Sequence, residues 1–301
     1  MLAIIIPYIK LFFFEETLRS LANQTDKRFN VYIGDDCSPE NCSEVVAKYS
    51  NSLSIKYHKF ENNLGSHSLV SQWMRCYSLI GDEEWVMFLG DDDLLSENCV
   101  EEFYKCLPEV ELLNINIIRY SSIIINETST FISHHYKFPL VERTTTAYIN
   151  KAKRKSRASL TEHIFKCIAF EKVGFIDMPE AWHSDDLIIL EISNYNTIYT
   201  INSATAYIRY SNLSVSGNQS NVEGKYKATL TFLRFLIGFK MEYFSKRERF
   251  YVIWYYFKKL KNYRKLTFFN AMIIIILLLK NLFNFKTFLR HSQDLRISTN
   301  F

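Results

Sequence analysis

The sequence predicts an α/β fold, a mostly parallel sheet flanked by helices, with a C-terminal helical extension. Three observations lead there. Apolar strand-like runs alternate with amphipathic helical stretches four times across residues 2–89, the pattern of a parallel sheet covered on both faces by right-handed crossovers. Strand-like stretches then dominate from about 112 to 210, so this half reads as mixed α+β and extends the sheet. After a polar Ser/Asn/Gly stretch from Gly217 to Gly224, the chain becomes helical, basic and aromatic. At 301 residues it is longer than one average domain. The expected organisation is a core domain over 1–220, in halves of about 1–110 and 111–220, and an extension over 221–301.

Leu2–Ile6 is a continuous apolar run closed by Pro7, the mark of a strand buried on both faces. Phe14, Leu18, Leu21 and Ala22 fall at i, i+4, i+7 and i+8 with Glu15, Glu16 and Arg19 opposite, which predicts a helix over about 12–23. The period then changes. Phe29–Gly34 reads as the second strand, 44–49 as a helix, 54–60 as the third strand, 68–80 as a helix and Trp85–Leu89 as the fourth strand. Further along, Ile115–Ile125, Phe165–Phe170 and Ile198–Tyr210 read as strands and about 185–195 as a helix. The extension divides into three helices, at about 225–241, 246–263 and 268–289.

Composition excludes several classes. With 48% hydrophobic and 23% charged residues and only 8 Gly and 5 Pro, the chain is neither disordered nor collagen-like. The net charge of +4 hides a division: residues 225–301 carry 16 Lys/Arg against 3 Asp/Glu, and residues 1–224 carry 20 against 29. The acidic first part excludes a general nucleic-acid binder, whereas the basic last part suits an anionic surface. Six cysteines without a CxxC pair indicate neither a zinc site nor a disulfide framework, and they read as thiols in a reducing cytosol. The apolar start lacks a basic leader and a cleavage site, so it reads as a strand. The longest nearly uncharged run, Leu266–Leu279, has 14 residues, short of the roughly 20 that a membrane-crossing helix needs.

In an open parallel sheet, ligands bind beyond the carboxyl ends of the strands. Pro7-Tyr8 follows the first strand, Asp35-Asp36-Cys37-Ser38 the second and Gly90-Asp91-Asp92-Asp93 the fourth. Up to five like charges on one rim are costly unless cations or hydrogen-bond donors fill the gap. A divalent cation is the simplest occupant, and oxygen ligands without a nearby His or Cys favour Mg²⁺ or Mn²⁺. Two plainer readings compete: Asp91–Asp93 as an N-cap cluster opening a helical segment Glu97–Leu107, and Asp35–Pro39 as a polar turn. Each explains one cluster and neither explains their joint placement. A third constellation, Trp182-His183-Ser184-Asp185-Asp186, precedes the apolar Leu187–Leu190. Its carboxylates suit a general base or, more plainly, the first turn of a helix, where the macrodipole favours them. His183 beside Trp182 reads first as a packed polar residue.

These residues resemble the GT-A-fold family 2 glycosyltransferases. Phe13–Thr25 is similar to that family's first helix, Asp35-Asp36-Cys37-Ser38 to its DDxS turn, Asn62-Asn63-Leu64-Gly65 to its NxG turn, and Phe88-Leu89-Gly90-Asp91-Asp92-Asp93 to its DxD-type motif. The resemblance covers roughly residues 2–215. It implies that 1–110 is the nucleotide-sugar half and 111–220 the acceptor half. It also implies that Pro7, Asp35, Asp36, Gly65 and Asp91 line the donor, and that Asp92 and Asp93 hold the metal. Asp185, with Asp186 beside it, matches the family's catalytic ED pair. Where the family often has Tyr and Asn after the proline, this chain has Ile9 and Lys10, so base stacking falls to Tyr8 or another ring. Tyr207–Gly217 resembles the loop over the donor diphosphate, with Arg209 pairing phosphate oxygens.

The expected function is that of a metal-dependent inverting glycosyltransferase, moving a sugar from a nucleotide-diphosphate sugar, UDP favoured, to a glycan or lipid-linked acceptor in surface polysaccharide synthesis. Lys246, Arg247, Arg249, Lys258, Lys259 and Lys261 interleaved with Tyr251, Trp254, Tyr255 and Phe257 suit an anionic membrane through 246–289. That places the chain in the cytoplasm, peripheral at the inner face of the plasma membrane, with no nucleic-acid partner. Two rivals remain: a nucleotidyltransferase, which usually needs a Gly-rich basic loop where Pro7–Lys10 stands, and a catalytically silent membrane-docked scaffold.

Overall fold

The computed structural model describes residues 1–211, 222–263 and 267–283. The chain divides into two compact units, Met1–Lys225 and Tyr226–Phe301. The first opens with β1 (Leu2–Tyr8), α1 (Phe14–Ala22), β2 (Phe29–Asp35), α2 (Ser43–Tyr49), β3 (Ile55–Lys59), α3 (Leu69–Tyr77) and β4 (Trp85–Phe88). It continues with β5 (Leu94–Leu95), α4 (Cys99–Leu112), β6 (Ile117–Ile125), β7 (Val141–Arg143), α5 (Thr144–Ala152), β8 (His163–Lys166), α6 (Cys167–Val173), α7 (Ser184–Ile192) and β9 (Thr197–Arg209). All nine strands form one sheet in the order β3-β2-β1-β4-β8-β6-β9-β5, with β7 added on β9.

The unbroken apolar run of β1 is explained by its position. It lies between β2 and β4, parallel to both, and alternates its side chains between two cores. Ile4 and Ile6 pack with Leu18 and Leu21 of α1 and Phe103 and Val110 of α4. Ala3 and Ile5 pack on the other side with Cys76 of α3, Phe170 of α6 and Ile188 and Ile192 of α7. The four strands β3-β2-β1-β4 are parallel, as are β6 and β9, while β8, β5 and β7 pair antiparallel. β3 forms one edge of the sheet and is mostly exposed from Lys56 to Lys59.

Two expectations change. Phe165–Phe170 is strand only to Lys166; four residues suffice to join β4 to β6, and the Cys167 N–H then turns to the Glu84 carbonyl at 2.8 Å to begin α6. The Asp91–Asp93 triplet caps no helix, because β5 intervenes and Asn98 stands at the N-cap of α4.

The remaining helices are α8 (Val222–Phe235), which leads into the second unit, α9 (Lys246–Asn262) and α10 (Phe268–Phe283). A π-helical turn at Leu236–Lys240 and a 3-10 turn at Met241–Tyr243 end the first of them earlier than the predicted 241. α9 begins with a capping box: the Ser245 hydroxyl accepts from Glu248 N–H, and the Glu248 carboxylate accepts from Ser245 N–H at 2.8 Å. Residues 284–289 of the third predicted helix lie outside the described residues. Among those described, no helix is long and apolar enough to cross a membrane.

Gly34 of β2 packs so closely on α3 that a β-carbon there would strike the Cys76 sulfur. Gly34→Ala should therefore cost about 1–3 kcal/mol by overpacking. Combined with Cys76→Ala, it should cost less than the two single changes added, measured by urea unfolding of all three variants.

Candidate active site

Because β1, β2 and β4 are parallel neighbours, their carboxyl ends open on the same edge of the sheet. Carboxylates stitch the loops there together. Asp35 Oδ1 accepts from Ser38 N–H at 2.7 Å and its Oδ2 from the Tyr57 hydroxyl at 2.5 Å. Asp36 accepts from Leu64 N–H at 2.7 Å, from Gly65 N–H at 2.9 Å and from the Arg75 guanidinium, which lies over the Phe60 ring. A β-carbon at Gly65 would collide with the Asp36 carboxylate, so the close approach needs glycine. Asp91 Oδ2 accepts both Ile9 N–H and Lys10 N–H at 2.9 Å, tying the loop after β1 to the turn after β4.

The triplet divides its labour. Asp93 is buried, with Oδ1 bonded to Arg209 N–H at 2.7 Å and Oδ2 to the Thr161 hydroxyl at 2.5 Å. For Asp92, no other residue among those described donates a hydrogen bond to the carboxylate. Burial raises all three, Asp91 to about 6, Asp92 to about 7 and Asp93 to about 6, with repulsion adding at Asp91 from Asp92 and at Asp92 from Asp93. Lys10 and Arg209 oppose the rise at Asp92.

No three His, Cys, Asp or Glu side chains among the described residues converge as a ready-made metal site. The donor set still fits a hard cation shared with a ligand. A β-carbon on Gly90 would lie 3.0 Å from Asp92 Oδ1 and 2.9 Å from Asp93 Oδ2, so these oxygens flank one glycine that leaves the space open. Mg²⁺ typically takes one or two carboxylates and completes its shell with phosphate oxygens and water.

The second acidic cluster stands at the start of α7. His183, in the left-handed conformation at φ 74°, occupies the N-cap, and Asp185 and Asp186 lie in the first turn. Lys151 of α5 contacts Asp186 Oδ1 at 2.7 Å and Asp185 Oδ2 at 3.3 Å, and His183 Nδ1 lies 2.7 Å from Asp186 Oδ2. Asp186 is held well below the usual carboxylate range: Lys151 and His183 outweigh the opposing effect of burial. Burial raises Asp185 against the pull of Lys151. The 157–163 loop links the two clusters: Thr161 bonds Asp93, while Arg157, Ala158 and His163 line a small cavity with Lys151 and Asp186.

Three expected roles change. Tyr8 is fully buried, its ring 4.6 Å from Phe14 and its hydroxyl on the Glu40 carbonyl at 2.9 Å, so it cannot stack on a base. Arg209 cannot reach a phosphate: all five side-chain N–H groups go to the protein, namely the Asp92, Asn126 and Glu127 carbonyls, Glu16 and the Ser129 hydroxyl. Asp186, with both oxygens engaged, is not the free base of its pair. Residues 212–217 of the loop following Arg209 lie outside the described residues. Pro7 is half-buried on β1 opposite Gly34. Lys151, Thr161 and Arg75 carry no motif in the sequence; only the packing of their elements reveals them.

A family model described as Glycosyl transferase family 2 matches residues 3–172, more than half of the chain. The chain belongs to glycosyl transferase family 2. A Haemophilus influenzae protein described as an uncharacterized glycosyltransferase is 32% identical over 136 residues. That alignment spans 44% of this chain and 43% of the relative, less than half of either. Among solved structures, S. aureus TarS 1–349 in complex with UDP-GlcNAc gives a TM-score of 0.65 at 16% identity, over 86% of this chain and 72% of that chain. The same fragment with UDP gives 0.54 at 14% identity, over 97% and 91%. S. aureus TarS gives 0.61 at 16% identity, over 86% of this chain and 43% of that chain. At these identities the likeness is one of fold, and it establishes the GT-A architecture for this family 2 chain.

A carboxyl whose folded pKa is raised weakens the fold as it ionises, so the triplet's contribution to stability is present below about pH 4 and is lost as pH climbs through about 6–7. Asp92→Asn removes one of these ionisations. In the absence of divalent cations its melting temperature should exceed that of the parent at pH 8 and match it at pH 4, by differential scanning fluorimetry in EDTA.

Proposed function

We propose that this family 2 chain is an inverting glycosyltransferase that moves a sugar from a UDP-sugar to a hydroxyl of a glycan or lipid-linked acceptor in surface polysaccharide synthesis. One observation carries the reading. Two acidic clusters joined by the 157–163 loop each leave one carboxylate largely unspent, Asp92 in the first and Asp185 in the second. A transferase of this kind needs two such groups, one facing the donor diphosphate and one facing the acceptor hydroxyl.

On this reading Pro7, Asp35, Asp36 and Gly65 border the donor base, with Asp36 tying the Leu64–Gly65 turn against it. Asp91 fixes the loop after β1 by holding Ile9 and Lys10. Asp92, with Asp93 beside it, would hold Mg²⁺ or Mn²⁺; the cation, when bound, offsets charge on the departing diphosphate. Asp185 accepts the proton of the acceptor hydroxyl as it attacks the anomeric carbon. Arg209 acts at one remove by locking the Asp92 carbonyl and, through its own N–H, the Asp93 carboxylate. The TarS fold bound to UDP-GlcNAc supports uridine as the base.

The extension supports a peripheral position at the inner face of the plasma membrane. Phe250 and Trp254 of α9 are exposed, with Lys258 5.2 Å from the Trp254 ring. Met272, Ile275 and Leu279 of α10 are exposed too. Aromatic and aliphatic groups beside cations suit anionic headgroups.

Thermal-shift titration with UDP should show stabilisation that depends on Mn²⁺ and disappears in Asp92→Ala. Asp185→Asn should retain that stabilisation and lose about 10²–10⁴-fold in sugar transfer. Release of sugar 1-phosphate in place of UDP from the UDP-sugar, the mark of attack at phosphorus, would overturn the proposal.

A further inference from the structure

The Asp185–Asp186 pair is unsymmetrical, and α5 makes it so. Lys151 approaches Asp186 to 2.7 Å and Asp185 to 3.3 Å, and His183 takes the other Asp186 oxygen at 2.7 Å. Asp186 thus has a side-chain partner on each oxygen and 4% of its side chain exposed, while Asp185, 21% exposed, has the longer lysine contact and the backbone N–H of Asp186. Other ionisable groups nearby are committed elsewhere. Glu171 of α6, which packs on α7, receives the Tyr77 hydroxyl at 3.1 Å. Arg157 and His163, which share a cavity with Lys151 and Asp186, are bonded to Glu162 at 2.9 Å and to the Ser159 carbonyl at 2.6 Å. Among the described residues, the lysine that pairs with Asp185 is Lys151.

Two adjacent carboxylates in the first turn of a buried helix titrate as a coupled pair and, left alone, retain a proton between them. A cation anchored on one of them removes that ambiguity. Asp186 binds Lys151 more closely and is itself held by His183, so the positive charge is fixed in place and its remaining field falls on Asp185.

We propose that Lys151 is a positioning residue for the transfer: anchored on Asp186, it keeps Asp185 ionised, so that one defined carboxylate of the pair receives the acceptor proton. The inference rests on Asp185 being the base. Burial pushes Asp185 upward, and Lys151 is the largest influence opposing it, which agrees with the geometry.

The test is a carboxyl ¹³C NMR titration of the full chain labelled at aspartate, with Asp185 assigned by its loss in Asp185→Asn. In Lys151→Gln the Asp185 midpoint should rise by about one pH unit or more, a tenfold change in its acid constant, and Lys151→Arg should restore it. In Asp186→Asn the midpoint should fall, because a like charge is removed and the lysine turns wholly to Asp185. A lysine that merely braces α5 against α7 would not give shifts of opposite sign. An unmoved Asp185 midpoint in Lys151→Gln overturns the proposal. Should that variant not fold, a rise or no shift in Asp186→Asn overturns it equally. UDP release from UDP-GlcNAc with Mn²⁺ by Asp185→Asn separates the two ideas: undiminished release removes the base role itself, whatever the titrations show.

Discussion

Backbone N–H groups bonded to buried carboxylates hold the carboxyl-end rim of the sheet together. Asp36 gathers the 64–65 turn, Asp91 the loop after β1 and Asp93 the end of β9, while Asp35 closes its own turn on Ser38. Burying a carboxylate costs several kcal/mol unless charge-assisted hydrogen bonds replace its water. The rim meets that demand by making each acid the fastener of a loop that follows a different strand. Once these are committed, Asp92 is the member of its triplet whose carboxylate fastens no loop among the described residues, so most of the apparent excess of acids in the sequence resolves into scaffolding.

The same economy explains how much could be read beforehand. The β1 run was unambiguous because a strand buried on both faces must be apolar at every position, and Leu2–Ile6 is. The clustered aspartates announced the rim because strand ends in an open sheet are where polar residues have reason to gather. Arg209 differs from its sequence expectation for a matching reason. A basic residue after a strand looks available until Glu16 and Ser129, distant in sequence, are seen to occupy its guanidinium above the Phe13 ring. Tyr8 follows the same rule: its ring continues the β1 core against Phe14 and does not turn toward a ligand. α5 was invisible because its β-branched Thr144-Thr145-Thr146 start carries little helical signal, so Lys151 came without a context.

The two acidic clusters solve one electrostatic problem differently. At the strand ends, hydrogen bonds satisfy four of the carboxylates, Asp35, Asp36, Asp91 and Asp93, while the pKa values of the triplet stay raised. At the helix start, a lysine from a neighbouring helix and a histidine from the N-cap hold one acid ionised and leave its half-buried neighbour the longer lysine contact. The 157–163 loop, whose fully buried Glu162 is paired with Arg157 and whose Thr161 bonds Asp93, joins these environments.

The margins of the sheet have a consequence of their own. A nine-stranded sheet with so apolar a centre invites intermolecular strand pairing wherever it ends. Here β3 presents Lys56, His58 and Lys59 to solvent, and β5 is two residues long. Both borders are therefore poor templates for a stray strand from another molecule, a built-in restraint on amyloid-like association.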